Sequence, residues 1–299
     1  MCSSRGRKEM GMAGRKRVCG TVSGRNGGAA GGEAGSRDGM DAGPERRREP
    51  AAVLGRDALV PAVAAGAAPV GSSGSVPDAL QLQQARIRIA SPDDAGAIAG
   101  IYRPYVEATA VSFEWSAPES EEMKARIAKV LAAFPYLVAE HPGTGDMLGY
   151  AYASPYYGRQ AYCYCCEVSI YLRQGLVRQG LGTRLYDALE GALRLQGLLS
   201  LCACIAVADG PDPYLTGASV AFHEARGFRQ IGAYPQCGFK FGRWYGVVWM
   251  EKPLGSRPKD PEAVLPFPQA RGRIEAFLSA RQTPAVSDAS ALRGPSAGR

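Results

Sequence analysis

The chain has 299 residues, 46% of them apolar and 21% charged, a balance ordinary for a soluble globular protein with room for one or two domains. No stretch of about 18 uncharged apolar residues occurs, which excludes a transmembrane helix. The formal net charge is +7, but residues 1–84 alone hold 12 Lys/Arg against 8 Asp/Glu, so +4 of that excess belongs to the N-terminal segment.

Residues 1–85 form a Gly/Ala/Arg-rich arm with almost no aromatics. It has no apolar period of either kind and cannot bury enough surface to offset chain entropy, so it is expected to be disordered. Its most apolar run, residues 51–71, is interrupted by Arg56, Asp57 and Pro61. The charged start lacks the apolar core of a secretory signal. Two basic runs, GRKRV and ERRRE, suit contact with nucleic acid or acidic surfaces, but a solvated arm is the plainer reading. Nucleic acid is therefore not an expected partner.

From Arg86 the pattern changes. RIRIA (86–90) alternates as a strand does. SPDD follows as a helix start, with Ser91 capping and Pro92 at the first helical position. Ile98, Ile101, Tyr102 and Tyr105 fall on one helical face, and Pro104 is expected to end or kink that helix. After the acidic PESEE, a second helix places Met123, Ile127, Leu131 and Phe134 on one face. Three strands follow: YLVAE (136–140), MLGYAYAS (147–154) and AYCYCCEVSIYL (161–172). A Gly/Arg loop then leads into a helix carrying Leu181, Leu185, Leu189 and Ala192, closed by Gly197. LLSLCACIAV (198–207) is apolar on both faces, as a central strand is. GASVAFHEARGF is a helix, and CGFKFGRWYGVVWMEK supplies the last strand. The expected fold is a single mixed α/β domain over residues 86–255, its sheet flanked by helices. Residues 256–299 are read as a mostly disordered tail with a short helix at GRIEAFLSARQ.

The eight cysteines have neither zinc-ligand spacing nor the pattern of a disulfide framework. On strands, Cys163 and Cys165 share a face, as do Cys202 and Cys204. They are expected to act as small buried thiols, ahead of redox work and of metal binding; no metal is expected. A chain with this thiol usage fits the cytoplasm.

The loop VRQGLGTRL sits between a strand and a helix. A helix N-terminus presents unpaired N–H groups and partial positive charge, and glycines at 180 and 182 let an anion approach the backbone. Arg178 and Arg184 add charge. The loop is not a Walker loop, since no Gly-Lys-Ser/Thr follows, and it lacks the third glycine of the dinucleotide fingerprint.

With its neighbours the loop says more. AVSFEW, LVAE, GYAYASPYYGRQAY, EVSIYL, VRQGLGTRLY, SVAFHEARGF and GFKFGRWYGVVWMEK, in this order, resemble the GNAT superfamily of acetyl-CoA-dependent N-acetyltransferases. Within it they resemble the phosphinothricin N-acetyltransferase-like branch. The resemblance runs from about Arg86 to Lys252. It implies a GNAT domain in which the fourth strand, around Ser169, Ile170 and Tyr171, pairs with the pantetheine arm of acetyl-CoA. It also implies that Val177, Arg178, Gln179, Gly180, Leu181, Gly182 and Thr183 wrap the diphosphate, with Thr216 near the place where the family often carries an asparagine. Val177 replaces a usual Gln or Arg.

Acetyl transfer to an amine needs a base, because an alkylammonium has no lone pair. Glu167 stands in an apolar, aromatic strand, where burial raises a carboxyl pKa towards neutrality, and the resemblance places it at the family's catalytic glutamate. The plainer alternative is a strand glutamate facing solvent or paired with an arginine. His223 takes the slot of a family tyrosine and is the candidate acid for the leaving thiolate; its alternative is a helix histidine capped by a neighbour. Phe113, Arg159, Tyr162, Lys240 and Tyr245 stand in motifs that line the substrate side, with Arg159 or Lys240 suited to an acidic group. The family's acid after RWY is absent, Gly246 standing there. The resemblance implies acetylation of a small amine, an amino acid or an analogue such as phosphinothricin or methionine sulfoximine, by an enzyme expected to be a homodimer. Two alternatives stay open: an enzyme acting on a peptide or protein amine, and a non-catalytic acetyl-CoA-binding protein whose basic arm holds a partner.

Overall fold

The structure, a computed structural model, describes residue 77 and residues 79–282. Most of the arm, both of its basic runs and the last seventeen positions lie outside the described residues. Among the described residues no helix is long and apolar enough to cross a membrane.

The elements run α1 (Ala79–Gln83), β1 (Arg86–Ile89), α2 (Ala95–Ala108), α3 (Ser120–Leu131), β2 (Tyr136–Glu140), β3 (Met147–Pro155), β4 (Cys165–Leu172), α4 (Leu181–Gln196), β5 (Ser200–Val207), α5 (Ala218–Ala225), β6 (Arg229–Lys240), β7 (Arg243–Pro253) and α6 (Phe267–Gln282). The strands form one seven-stranded sheet in the order β1-β2-β3-β4-β5-β7-β6. All neighbours are antiparallel except β4 and β5.

That parallel pair holds for only three rungs, Cys165 with Ser200, Cys166 with Leu201 and Glu167 with Cys202. Beyond them β4 continues to Leu172 on β3 alone, and β5 continues to Val207 on β7 alone. The sheet therefore opens into a wedge whose root is the Glu167–Cys202 rung.

Strand alternation divides β4 between two cores. Cys166, Val168 and Ile170 pack with Leu181, Leu185 and Leu189 of α4 and with Ile274 and Leu278 of α6. Tyr171 points the other way, into a layer of Tyr136, Val138 and Tyr150 covered by Ile98, Tyr102 and Tyr105 of α2 and Ile127 of α3. Tyr105 Oη donates to the Leu172 carbonyl at 2.6 Å, fixing α2 over the far end of β4.

Five elements differ from their sequence reading. The first helix runs through Pro104 to Ala108; burial of Tyr102, Tyr105 and Val106 holds the segment helical despite the lost backbone donor. β4 starts at Cys165, because residues 160–162 form a 3-10 turn, which leaves Tyr162 and Cys163 off the strand. The last strand is a long hairpin of two, turned at Phe241 and Gly242, both with positive φ. The ordered body begins before Arg86: Leu82 of α1 is fully buried, and Arg184 donates to the Leu82 and Ala85 carbonyls at 2.6 and 2.8 Å. The C-terminal helix is sixteen residues long and docked, with Phe267, Ala270, Ile274 and Leu278 buried. Its Gln282 amide donates to the Ile87 carbonyl at 2.5 Å.

Candidate active site

Glu167 lies at the root of the wedge. It is 1% exposed, and neither carboxylate oxygen has a hydrogen-bond partner among the described residues. Burial, and secondarily the charge of Cys165, push its pKa up to about 8. Its cross-strand neighbour on β3 is Ser154. Tyr152 and Ser169 form the next rung but one on the same face, and burial pushes the Tyr152 phenol up to about 12. Cys204, on that face of β5, is also buried, and its thiol is pushed up first by burial and then by the charge of Glu167. An uncompensated buried carboxylate costs stability and persists only where something else requires it.

The loop between β4 and α4 has the backbone geometry that an anion cradle needs. Gly180 caps α4 at φ +83, a left-handed conformation that glycine adopts without strain, and Arg178 is also left-handed at φ 62. The first N–H groups of α4 have no carbonyl within the helix to bond. Arg178 is exposed, while Gln179 bonds back to the Gly175 carbonyl at 3.4 Å. Leu181 is fully buried, whereas Thr183 faces solvent. A side chain at Gly182 would press on Phe222 at 3.3 Å, so α5 packs beside the cradle. Thr216 lies just before α5, exposed. Arg184, read from sequence as part of the cradle's charge, instead spends its guanidinium on the carbonyls of Leu82 in α1 and Ala85 just beyond it.

His223 is not at the wedge surface. It is fully buried; its Nδ1 bonds the Ser219 carbonyl at 2.8 Å and its Nε2 bonds Tyr186 Oη at 2.9 Å. Burial lowers its pKa to about 4. With the ring neutral near pH 7 and both nitrogens engaged inside the core, its one N–H is not presented to a leaving thiolate. The capped-histidine alternative fits it better.

The five substrate-side residues fall into two groups. Lys240 is buried, and its ammonium donates to the carbonyls of Val106, Thr109 and Ser112 at 2.6, 3.0 and 2.7 Å. All three donors are used, so it ties down the turn after α2 and does not await an acidic group. Phe113 stands beside Tyr245, ring centroids 6.3 Å apart, and Tyr245 Oη donates to Asp212 at 3.1 Å. Tyr162 belongs to an aromatic cluster on the β3–β4 connection with Tyr156 and Tyr157, and Tyr156 meets Trp249 of β7 edge to face at 5.5 Å. Arg159 is exposed on the same connection. Sequence reading missed Tyr152, Tyr156, Cys204 and Trp249; the two-residue alternation of β3, β5 and β7 was the available signal. Gly246 sits in a tight place: a Cβ there would lie 3.0 Å from the Tyr234 carbonyl and 3.2 Å from Pro235 Cα, so an acid would require that backbone to shift by a few tenths of an ångström.

The site is thus a sheet wedge beside a glycine-capped helix, with a buried carboxylate at its root that has no hydrogen-bond partner among the described residues. Residues 87–249 match the Acetyltransferase (GNAT) domain family. The chain is 40% identical over 193 residues to a phosphinothricin N-acetyltransferase of Alcaligenes faecalis, covering 62% of this chain and 94% of that protein. It is 31% identical over 168 residues to an L-methionine sulfoximine/L-methionine sulfone acetyltransferase of Pseudomonas paraeruginosa, covering 56% and 93%. A phosphinothricin acetyltransferase of Sinorhizobium meliloti, solved with acetyl-CoA, superposes with a TM-score of 0.55 at 34% identity, covering 62% of this chain and 97% of that one. The chain belongs to the GNAT acetyltransferase family and is an enzyme of acetyl transfer.

Proposed function

We propose that this enzyme transfers acetyl from acetyl-CoA to the primary amine of a small molecule, an amino acid or an analogue of the phosphinothricin or methionine sulfoximine kind. The carrying observation is Glu167, a buried carboxylate with no partner among the described residues and a pKa raised to about 8. A base so tuned takes a proton from an alkylammonium near neutral pH and frees the nitrogen lone pair for attack. β4 and β5 pair only as far as Glu167, and the β5-facing edge of β4 beyond it, at Ser169, Ile170 and Tyr171, suits the amides of a pantetheine arm. The α4 N-terminus, Gly180, Gly182 and Arg178 suit its diphosphate. The site fits acetyl-CoA, which supplies the activated acetyl group.

On this reading the aromatic cluster of Tyr156, Tyr162 and Trp249, with Arg159, receives the amine substrate. A second copy of the chain covers the β6–β7 hairpin. β6 is an edge strand, and Ile231, Tyr234, Phe239 and Trp244 stand 50%, 64%, 45% and 59% exposed around it, an apolar edge that an isolated chain leaves open to association.

The test is CoA thiol release with acetyl-CoA and a panel of phosphinothricin, methionine sulfoximine and free amino acids, beside Glu167→Gln. Turnover on one of these amines, lost in the variant, is the expected result. Binding of acetyl-CoA that raises the melting temperature without turnover on any small amine would reject the substrate class.

A further inference from the structure

Six cysteines lie among the described residues, and none is in a disulfide. Two of them stand apart from the rest. Cys165 Sγ and Cys202 Sγ are 3.5 Å apart across β4 and β5, at the rungs on which the two strands are about to separate. Cys202 is the register partner of Glu167, and Cys165 precedes Glu167 by two residues on the same face. Cys165 is partly exposed and Cys202 is 2% exposed. Cys166 points into the opposite core, and Cys163 lies outside the strand.

We infer that Cys165 and Cys202 form a redox-reactive thiol pair whose oxidation ties β4 to β5 at the root of the wedge. The sulfurs need to approach from contact to about 2 Å, a side-chain rotation across neighbouring strands. The surroundings favour Cys165 as the attacking sulfur. The hydrogen bond with Cys202 lowers its pKa, with Arg257 assisting and burial and Glu251 opposing. Glu251 is itself ion-paired to Arg229 and Arg257. Cys202 is pushed the other way and retains its proton. The remaining ionisable neighbours are Glu167, Cys166 and Tyr156. A partly exposed sulfur with thiolate character beside a protonated resolving thiol is the arrangement a hydroperoxide oxidises selectively.

The oxidant is a hydroperoxide, with hydrogen peroxide as the simplest. The Cys165 thiolate attacks one peroxide oxygen, the O–O bond breaks, and the other oxygen leaves as hydroxide and is protonated to water. The resulting sulfenic acid is attacked by the Cys202 sulfur as its proton departs. The S–O bond breaks, a second water leaves and the S–S bond forms. Two thiols lose two electrons and two protons, and one peroxide becomes two waters; a dithiol reductant reverses the change. The bond spans the rung that carries Glu167, so on the acetyl-transfer reading above it also restrains the base.

The experiment treats the full chain with hydrogen peroxide, alkylates the remaining thiols and maps the product by non-reducing peptide mass spectrometry. The expected product is about 2 Da lighter and joins the peptide of Cys165 to that of Cys202. It disappears with dithiothreitol, is absent in Cys165→Ser and Cys202→Ser, and persists in Cys163→Ser, Cys166→Ser and Cys204→Ser. A link that survives in Cys165→Ser, or peroxide that oxidises only Cys163, overturns the proposal. This readout requires no turnover, so it stands or falls apart from the acetyl-transfer assay. Where turnover is measured, each protein is compared with itself. Peroxide slows the wild type several-fold and reversibly, and leaves the rate of Cys202→Ser where it began. Linked wild-type protein that turns over at its starting rate overturns the restraint on the base.

Discussion

Glu167 and Lys240 are both buried, one at the root of the wedge and one at the turn after α2, and their surroundings are opposite. The ammonium of Lys240 meets three carbonyls at hydrogen-bonding distance. The carboxylate of Glu167 meets no donor among the described residues. Burial weakens the charged form of both, lowering Lys240 to about 8 and raising Glu167 to about 8. Only the first charge is repaid by its neighbours. A buried charge with all its bonds made is a structural tie; one with none is what the base proposed for acetyl transfer requires.

That contrast can be broken most strongly at Glu167. Glu167→Gln is expected to lower kcat/KM by roughly 10²–10⁴-fold, the range for loss of a general base. The same change is expected to raise stability by roughly a few kcal/mol above pH 8, measured by denaturant unfolding. The sign follows from the raised pKa: the folded state binds the extra proton, so the stability cost of Glu167 grows as pH rises from about 4.5 to about 8. The activity of the parent enzyme should in turn rise with pH to a limb near 8. An unchanged rate in Glu167→Gln would remove the base from this residue.

Lys240→Met should do the reverse, costing about 3 kcal/mol because three buried carbonyls lose their donor. The comparison fails if its melting temperature matches the parent's. His223 sharpens the same distinction. Its lowered folded pKa of about 4 means that stability is present above pH 6.5 and is lost as pH falls through that window, by up to about 3 kcal/mol. His223→Gln should flatten this acid slope in unfolding curves recorded across the window, and should leave the pH dependence of turnover in place. The smallest effect belongs to Arg178→Ala. An exposed guanidinium beside the cradle should raise KM for acetyl-CoA several-fold at low salt, with the difference shrinking as salt screens it.

Much of this was legible in the chain. Alternation marked β1, apolar and aromatic runs marked β2, β3 and the body of β4, and the GLG segment ahead of Leu185 and Leu189 marked a helix start with an anion-friendly end. Glu167 stood out as an acid in the middle of an otherwise apolar and aromatic strand. What misled was local reading of residues whose partners are distant. Lys240 looked available until the fold placed the carbonyls of residues 106–112 around its ammonium, more than a hundred residues away in sequence. Arg184 looked like part of the cradle until Leu82 of α1 and Ala85 just beyond it offered two carbonyls. His223 looked like an acid until Tyr186 and Ser219 took both nitrogens.

The sequence by itself determined most of the strands and helices between Arg86 and Val207, where a glycine-rich turn opens a helix and which carboxylate stands in an apolar strand, because periodicity, glycine placement and a lone charge are local properties. The tertiary structure decided which polar groups are satisfied and which are not. It also set where β4 and β5 part and which two of the six cysteines among the described residues meet. Those depend on register and on contacts between segments far apart in the chain, and only the closed sheet brings them within bonding distance.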